Sequence, residues 1–410
     1  MPDSHAIPVQ GSIAHLSPRQ QLHIALAQLL PDDTGLHHPN AAQHSLAKLS
    51  SCAHTAAQAG ADIVIFPEYF LSGATHGHWQ GVRGSADDQD QDDKPWLEAI
   101  KQIAHQAGID IVAGTVVELA DIDDNDDAAA DTTDSPDAGQ QIPHRLDDAR
   151  ARPQANPSSP SSSAKGPTEK RPLYNTAYYV TRTGTVAHRY TKQNLWHPER
   201  TTLSSSSPFT HAEQHSSATF GITTRRGLRL RASLAICWDL AWYSRFEQML
   251  KSPASAKQGN LSDLDVEGQA AGPDVILVPT CWYASDGGAA ALRWNRRCEE
   301  DLLRSLCTTR ALETEAVVVM CNVAGPKLSP QQVDSALEAV RCGESEELPL
   351  IGLGRSLIAA PFQGCVAQVD GENEALLLQS LNLTVLVEAR EVYRNRYDVA
   401  LDIEDKSSQR

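Results

Sequence analysis

Short apolar runs and longer stretches of helical spacing take turns along the chain. The run from Leu22 to Ala27 predicts a strand, Ala41 to Ala59 a helix, and Ile63 to Phe66 a second strand, which together form a βαβ opening. Trp96 to Ala107 then reads as a helix that leads into the β-branched segment from Ile109 to Val117. Further strands are predicted at Tyr174 to Thr181, Val186 to Tyr190, Leu228 to Ile236, Val275 to Val278, Ala316 to Met320, Ser356 to Ala360 and Val366 to Val369. Between two of them, Ala289 to Glu315 carries Leu302, Leu303 and Leu306 at helical spacing and predicts one amphipathic helix. The alternation predicts layered α/β architecture in a single large domain.

Two stretches interrupt the pattern. From Ala120 to Lys170 the composition shifts to Asp and Ala and then to Pro and Ser, with few side chains whose burial offsets the entropy of ordering, so a disordered insertion at residues 120–170 is expected. Its flanks read as strands, which makes it an extended surface connection and not a boundary between domains. A second insertion is expected at 252–272, an N-terminal extension at 1–20 and a C-terminal tail at 398–410, leaving 21–397 as the domain.

Charge and cysteine content narrow the partners and the compartment. The formal net charge of -17 opposes binding to nucleic acid or to an anionic membrane. No apolar run is long enough to span a bilayer and the first residues carry no apolar leader, so a cytoplasmic protein is expected. Eight cysteines at irregular spacing read as free thiols of a reducing compartment. Cys281, Cys298, Cys307 and Cys321 match no zinc spacing, and His76 and His78 read as loop imidazoles, so neither a metal nor another cofactor is expected.

Three reactive side chains stand where strands end. Glu68 follows the run from Ile63 to Phe66, with Pro67 closing the strand. Lys192 follows Val186 to Tyr190, and Cys237 follows the buried-looking segment from Ala232 to Ile236. Ligands of open α/β folds gather at the carboxyl ends of strands, so the three can converge on one pocket. A thiol nucleophile with a neighbouring cation and a carboxylate that takes and returns a proton is a coherent set for covalent catalysis. Taken singly, each residue is more ordinarily a loop carboxylate, a solvated lysine or a buried small thiol.

The flanking residues carry a resemblance. PEYFLSG around Glu68, YTKQNLWHPE around Lys192 and ICWD around Cys237 are similar to the three triad contexts of the nitrilase superfamily of carbon–nitrogen hydrolases, in the order of that family. IALAQL at 24–29, VILVPT at 275–280 and GLGRSLIAAPFQG from Gly352 extend the likeness over most of the chain. It implies an αββα four-layer sandwich, with Glu68 as general base and acid, Cys237 as the nucleophile that forms a thioester, and Lys192 stabilising the oxyanion together with the Trp238 backbone N–H. It also implies a role for Glu199 in placing the substrate or water, against the plainer reading of a surface carboxylate paired with Arg200. Trp238, Trp282 and Tyr283 are expected to bind substrate, and Trp196, Trp242 and Asn322 are further candidates for pocket walls.

The resemblance implies hydrolysis of a small non-peptide amide or carbamoyl compound. Nitrilases of the superfamily usually follow the nucleophile with Trp and Glu, whereas Asp239 stands second here. Nitrile hydrolysis and a non-catalytic scaffold that retains the fold are the alternatives. Relatives commonly form dimers or larger homo-oligomers, and Val385 to Tyr397 is the contact segment suggested by that likeness.

Overall fold

Strand β2 (Gln21–Gln28) shows how the layers arise. Leu22, Ile24 and Leu26 point to one apolar cluster and Ala25 and Ala27 to another, as the two-residue period of a strand requires. Both faces are therefore covered. In the computed structural model, which describes residues 7–13, 20–31, 41–84, 94–120, 171–206, 218–251, 262–325, 329–344 and 352–408, the strands form two sheets.

The first sheet contains β1 (Val9–Ser12), β2, β3 (Ile63–Ile65), β4 (Asp110–Leu119), β5 (Leu173–Val180), β6 (Val186–Thr191) and β13 (Ala375–Asn382). Their order is β1-β13-β2-β3-β4-β5-β6. The second sheet contains β7 (Phe220–Thr223), β8 (Arg229–Leu234), β9 (Val275–Pro279), β10 (Val317–Cys321), β11 (Leu357–Ala360) and β12 (Gly364–Gln368), ordered β12-β11-β10-β9-β8-β7. The sheets face one another across the larger cluster, which joins Leu22, Ile24, Ile65 and Val112 to Leu234, Val275, Leu277 and Val319. Cys321 reaches across that seam, donating towards the carbonyls of Ala27 and Ile65.

The outer layers are helical. α1 (Ala41–Gln58) and α3 (Pro95–Ala107) bury Leu49, Ala53, Ile100 and Ala104 against the far face of the first sheet. α4 (Tyr243–Lys251) and α6 (Cys298–Thr314) bury Phe246, Met249, Leu303 and Cys307 against the second. α2 (His76–Gly84), α5 (Gly288–Trp294), α7 (Pro330–Cys342), α8 (Thr384–Val392) and α9 (Asn395–Ser408) complete the helices of the described residues. The result is the expected αββα sandwich in one large domain.

Several boundaries differ from the expectations. The single helix over Ala289 to Glu315 is two, α5 and α6, because Asn295 ends α5 in an extended conformation and its Oδ1 accepts the Arg297 N–H, a turn that precedes α6. Val9–Ser12, within the expected N-terminal extension, adds to the first sheet beside β13. The insertion at 120–170 lies outside the described residues from 121 onward, as do 252–261 of the second insertion. The rest of that second stretch packs on the fold: Leu264 is in the core and Asp265 pairs with Arg231. Beyond Tyr397 the chain continues within α9, tied down by Arg396, which donates to the Thr314 carbonyl. On α8, Val385, Leu386 and Ala389 are buried in the protein's own core, leaving Val392 and Tyr393 exposed. Among the described residues no helix is long and apolar enough to cross a membrane.

Candidate active site

Two strands of one sheet and one of the other end at the same place. Glu68 lies just beyond β3, Lys192 follows β6 directly, and Cys237 opens a single 3-10 turn, Cys237–Ala241, just beyond β8. A bulge in β4 sets the first of these. Gly114 has a φ of 75°, and a Cβ there would lie 1.8 Å from the Pro67 carbonyl oxygen. Only glycine allows β4 to pass this close beneath Pro67. The next residue, Thr115, accepts the Tyr69 N–H through its Oγ1 at 2.9 Å and holds Tyr69 at a φ of 59°.

Lys192 lies at the centre. Its Nζ donates to Glu68 Oε1 at 2.8 Å and to Glu199 Oε1 at 2.7 Å, and all three side chains are buried. Asn175 Nδ2 adds a second bond to Glu68 Oε1 at 2.8 Å, while Glu68 Oε2 is buried with no hydrogen-bond partner. The Tyr69 hydroxyl donates to Glu199 Oε1, and the Trp196 N–H donates to Glu199 Oε2 at 2.7 Å. Glu199 is thus part of the buried cluster. Arg200, the partner expected on the plainer reading, donates to the Leu195 carbonyl instead.

Electrostatics follow from burial and from charge count. Burial pushes the Glu68 carboxyl up and the Glu199 charge adds to it, against the lowering effect of Lys192. Burial alone would lower the Lys192 ammonium, but the two glutamates outweigh it and hold the group well above the ordinary lysine range. Burial pushes the Cys237 thiol well up, the Glu68 charge adds to this, and Lys192 opposes it only in part. The expected activation by Lys192 is present, therefore, but it does not win in the resting site. Burial and the Glu68 charge therefore favour the protonated thiol.

Cys237 has a φ of 45°, a left-handed conformation that costs on the order of 1–3 kcal/mol for a residue with a side chain. Asp239 holds this turn. Fully buried, it accepts the Ile236 N–H at 2.9 Å, the Tyr190 hydroxyl at 2.8 Å, and both the N–H and the side-chain amide of Asn194 at 2.9 Å. One carboxylate thereby fastens the thiol's turn to the β6 end that carries Lys192.

A cavity of about 260 Å³ opens over these groups and is lined by Glu68, Glu199 and Cys237. Trp238, Trp282, Tyr283 and Trp196 form its wall, as expected from the sequence. Trp242 does not line it and is 45% exposed. Asn322 does not line it either. It supports the wall from behind, where its Oδ1 accepts the Trp282 N–H at 2.8 Å and its Nδ2 donates to the Trp282 carbonyl at 3.1 Å.

Sequence reasoning missed Tyr69, Asn175, Cys281, Asp286 and Glu299. Tyr69 adjoins Glu68 and was the most accessible of these to sequence reading. Asn175 sits inside an apolar strand, where a buried amide demands a partner. Cys281, Asp286 and Glu299 line the cavity, and His76 joins them from the start of α2. Among the described residues no cluster of His, Cys, Asp or Glu is arranged to hold a metal ion.

The carbon–nitrogen hydrolase family model matches residues 23–131, a span that includes Glu68 but neither Lys192 nor Cys237. No curated protein sequence matches the chain. Among solved structures, Nit3 of Saccharomyces cerevisiae, a member of branch 10 of the nitrilase superfamily, is similar at 17% identity and a TM-score of 0.54, covering 93% of this chain and 96% of that one. The amidase from Nesterenkonia sp. AN1, in a form showing covalent addition of the acetamide moiety of fluoroacetamide at its active-site cysteine, is similar at 17% identity and a TM-score of 0.51, covering 93% and 99%. At such identities the structural likeness establishes the fold. The sequence match over residues 23–131 and the shared fold thus make the chain similar to carbon–nitrogen hydrolases of the nitrilase superfamily.

Proposed function

We propose that the chain hydrolyses the carbon–nitrogen bond of a small non-peptide amide or carbamoyl compound through a thioester on Cys237. The observation that carries this reading is Lys192 bonded to both Glu68 and Glu199, with those two glutamates and Cys237 lining one cavity. Glu68 takes the thiol proton as Sγ attacks the carbonyl carbon. Its raised carboxyl suits proton transfer near neutral pH, because a base far below the working pH accepts protons weakly. An ammonium has three N–H donors, and Lys192 uses two on glutamates, so the third is free for the oxyanion. The Trp238 N–H lies in the first positions of its turn, where N–H groups have no partner within the turn, and it supplies a second donor.

The tetrahedral adduct collapses when Glu68 returns its proton to the departing nitrogen. Water then attacks the thioester carbonyl, Glu68 again takes the proton, and the carboxylic acid leaves as the thiol is restored. Glu199 fixes Lys192 and, through it, Glu68.

The test is ammonia or amine release from matched amides, carbamoyl compounds and nitriles, with intact-mass detection of the acyl adduct. The reading predicts turnover of amides, a transient acyl adduct on the wild type caught by acid quench, and no adduct on Glu68→Gln or Cys237→Ala. Release from nitriles alone would reassign the reaction to a nitrilase, and identical activity of the Cys237→Ala variant would remove the covalent mechanism.

A further inference from the structure

The cavity holds more carboxyl groups than its chemistry uses, and burial among the others pushes Asp286 up to about 7, where an entering cation would favour its ionised form. Glu68 and Glu199 share Lys192, but Asp286 and Glu299 also line the cavity, and among the described residues no lysine or arginine lines it. Glu68 Oε2 is buried in the same chamber without a partner. An anionic or strongly electron-rich substituent entering here meets like charge with little water to screen it.

The remaining wall suits a cation as well. The rings of Trp196 and Trp238 lie 4.4 Å apart, edge to face, and those of Trp238 and Trp282 5.5 Å apart and tilted, so three indoles pack in series along the cavity they line. Indole faces attract ammonium and guanidinium groups, more so when water is excluded. The Trp282 Nε1–H donates to Glu299 Oε2 at 2.7 Å, which places a carboxylate at the ring edge and enriches the π face. Space for that carboxylate depends on Gly287, where a Cβ would approach Glu299 Oε1 to 2.6 Å.

We infer that Asp286, Glu299 and the indoles of Trp196, Trp238 and Trp282 form a subsite for a cationic substituent, so that the substrate is a small amide carrying a protonated amine or guanidine. The inference rests on reading the cavity as the amide-hydrolysing site. The amide carbonyl lies over Cys237 and the cationic end lies against the Asp286 and Glu299 wall.

Each acid also has a structural bond: Asp286 Oδ2 accepts the Tyr283 N–H at 2.9 Å, and Glu299 accepts the Trp282 indole. Asp286→Asn and Glu299→Gln keep an acceptor for those bonds and remove only the charge. The experiment compares kcat/KM for β-alaninamide, its neutral isostere butyramide and the anionic succinamate in the wild type and both variants. The wild type is expected to prefer the ammonium substrate over the neutral one by about tenfold or more, with succinamate poorest, and each variant to reduce that preference several-fold through KM. Equal or better use of butyramide by the wild type, or a preference unchanged in both variants, overturns the subsite while leaving amide hydrolysis intact.

A second arm is independent of turnover. Aminoethyl and sulfonatoethyl methanethiosulfonate each form a mixed disulfide with a thiol and release methanesulfinate, and peptide mass mapping reads the rate at Cys237. Faster labelling by the cationic reagent, with the difference shrinking in both variants, supports the subsite even if no amide is hydrolysed. A difference that survives both substitutions overturns it.

Discussion

Lys192 is the residue on which the buried charges depend. Replacing it with Met leaves Glu68 and Glu199 facing each other without a cation, and stranding a buried charge costs roughly 3–5 kcal/mol. The expected outcome is a lower Tm that the Lys192→Met, Glu199→Gln double variant partly restores, while on the proposed mechanism activity stays at least about 100-fold down in both for want of the oxyanion donor. Glu199→Gln alone tests the charge coupling. The Glu199 charge raises the Glu68 carboxyl, so removing it lets that carboxyl ionise at lower pH. On the proposed mechanism Glu68 is ionised when it accepts the thiol proton, so the acid limb of the kcat/KM profile is expected to move to lower pH, and a limb that stays in place or moves up contradicts the assignment. Glu68, Lys192 and Cys237 could be read in the sequence because each ends a strand within a distinctive flank. The partners of Tyr69 and Asn175 could not, since they lie 130 and 107 residues away.

Among the elements, the bulge in β4 matters most to the site. Gly114→Ala would force β4 away from Pro67, or Pro67 away from β4, because a contact of 1.8 Å cannot be accommodated by side-chain movement. Activity is expected to fall more than stability explains, which circular dichroism melts and kcat/KM measured on the same preparation would check. A variant that melts lower yet keeps its kcat/KM would mean that the bulge does not position Glu68. Ten of the thirteen strands of the described residues were legible because their apolar runs are nearly continuous, as doubly covered strands require, whereas β1, β7 and β13 were not read. The break between α5 and α6 was not, because the leucine spacing continues across it and one asparagine decides the ending. His76 and His78 read as loop imidazoles, since three glycines and two histidines in HGHWQGVRG mask a helix whose Trp79 packs on Tyr69. The start of α7 carried its own signal in Ser329, Pro330 and Gln332, a capping box with Pro at the first position, which went unused.

For the molecule as a whole, the long connection between β4 and β5 is the clearest test. Leu119 pairs with Leu173 and the Ala120 N–H donates to the Pro172 carbonyl at 2.9 Å, so the two ends of the connection are already side by side. Replacing residues 121–170 with a turn of a few residues is expected to preserve the fold and kcat/KM. Closing the shorter loop costs less entropy, by on the order of 2 kcal/mol, so the Tm should be unchanged or higher. Loss of folding or of activity would give those residues a function that the sandwich does not reveal.

By itself the sequence determined the layer pattern, the strand ends and three reactive side chains, because periodicity and strand-ending residues act over neighbouring positions. Only the tertiary structure decided the rest. That Glu199 belongs with Lys192, that Asp239 serves as an anchor, and that Asp286 and Glu299 face the same cavity all follow from packing two sheets face to face, which sets charges from distant segments within hydrogen-bonding distance and away from water.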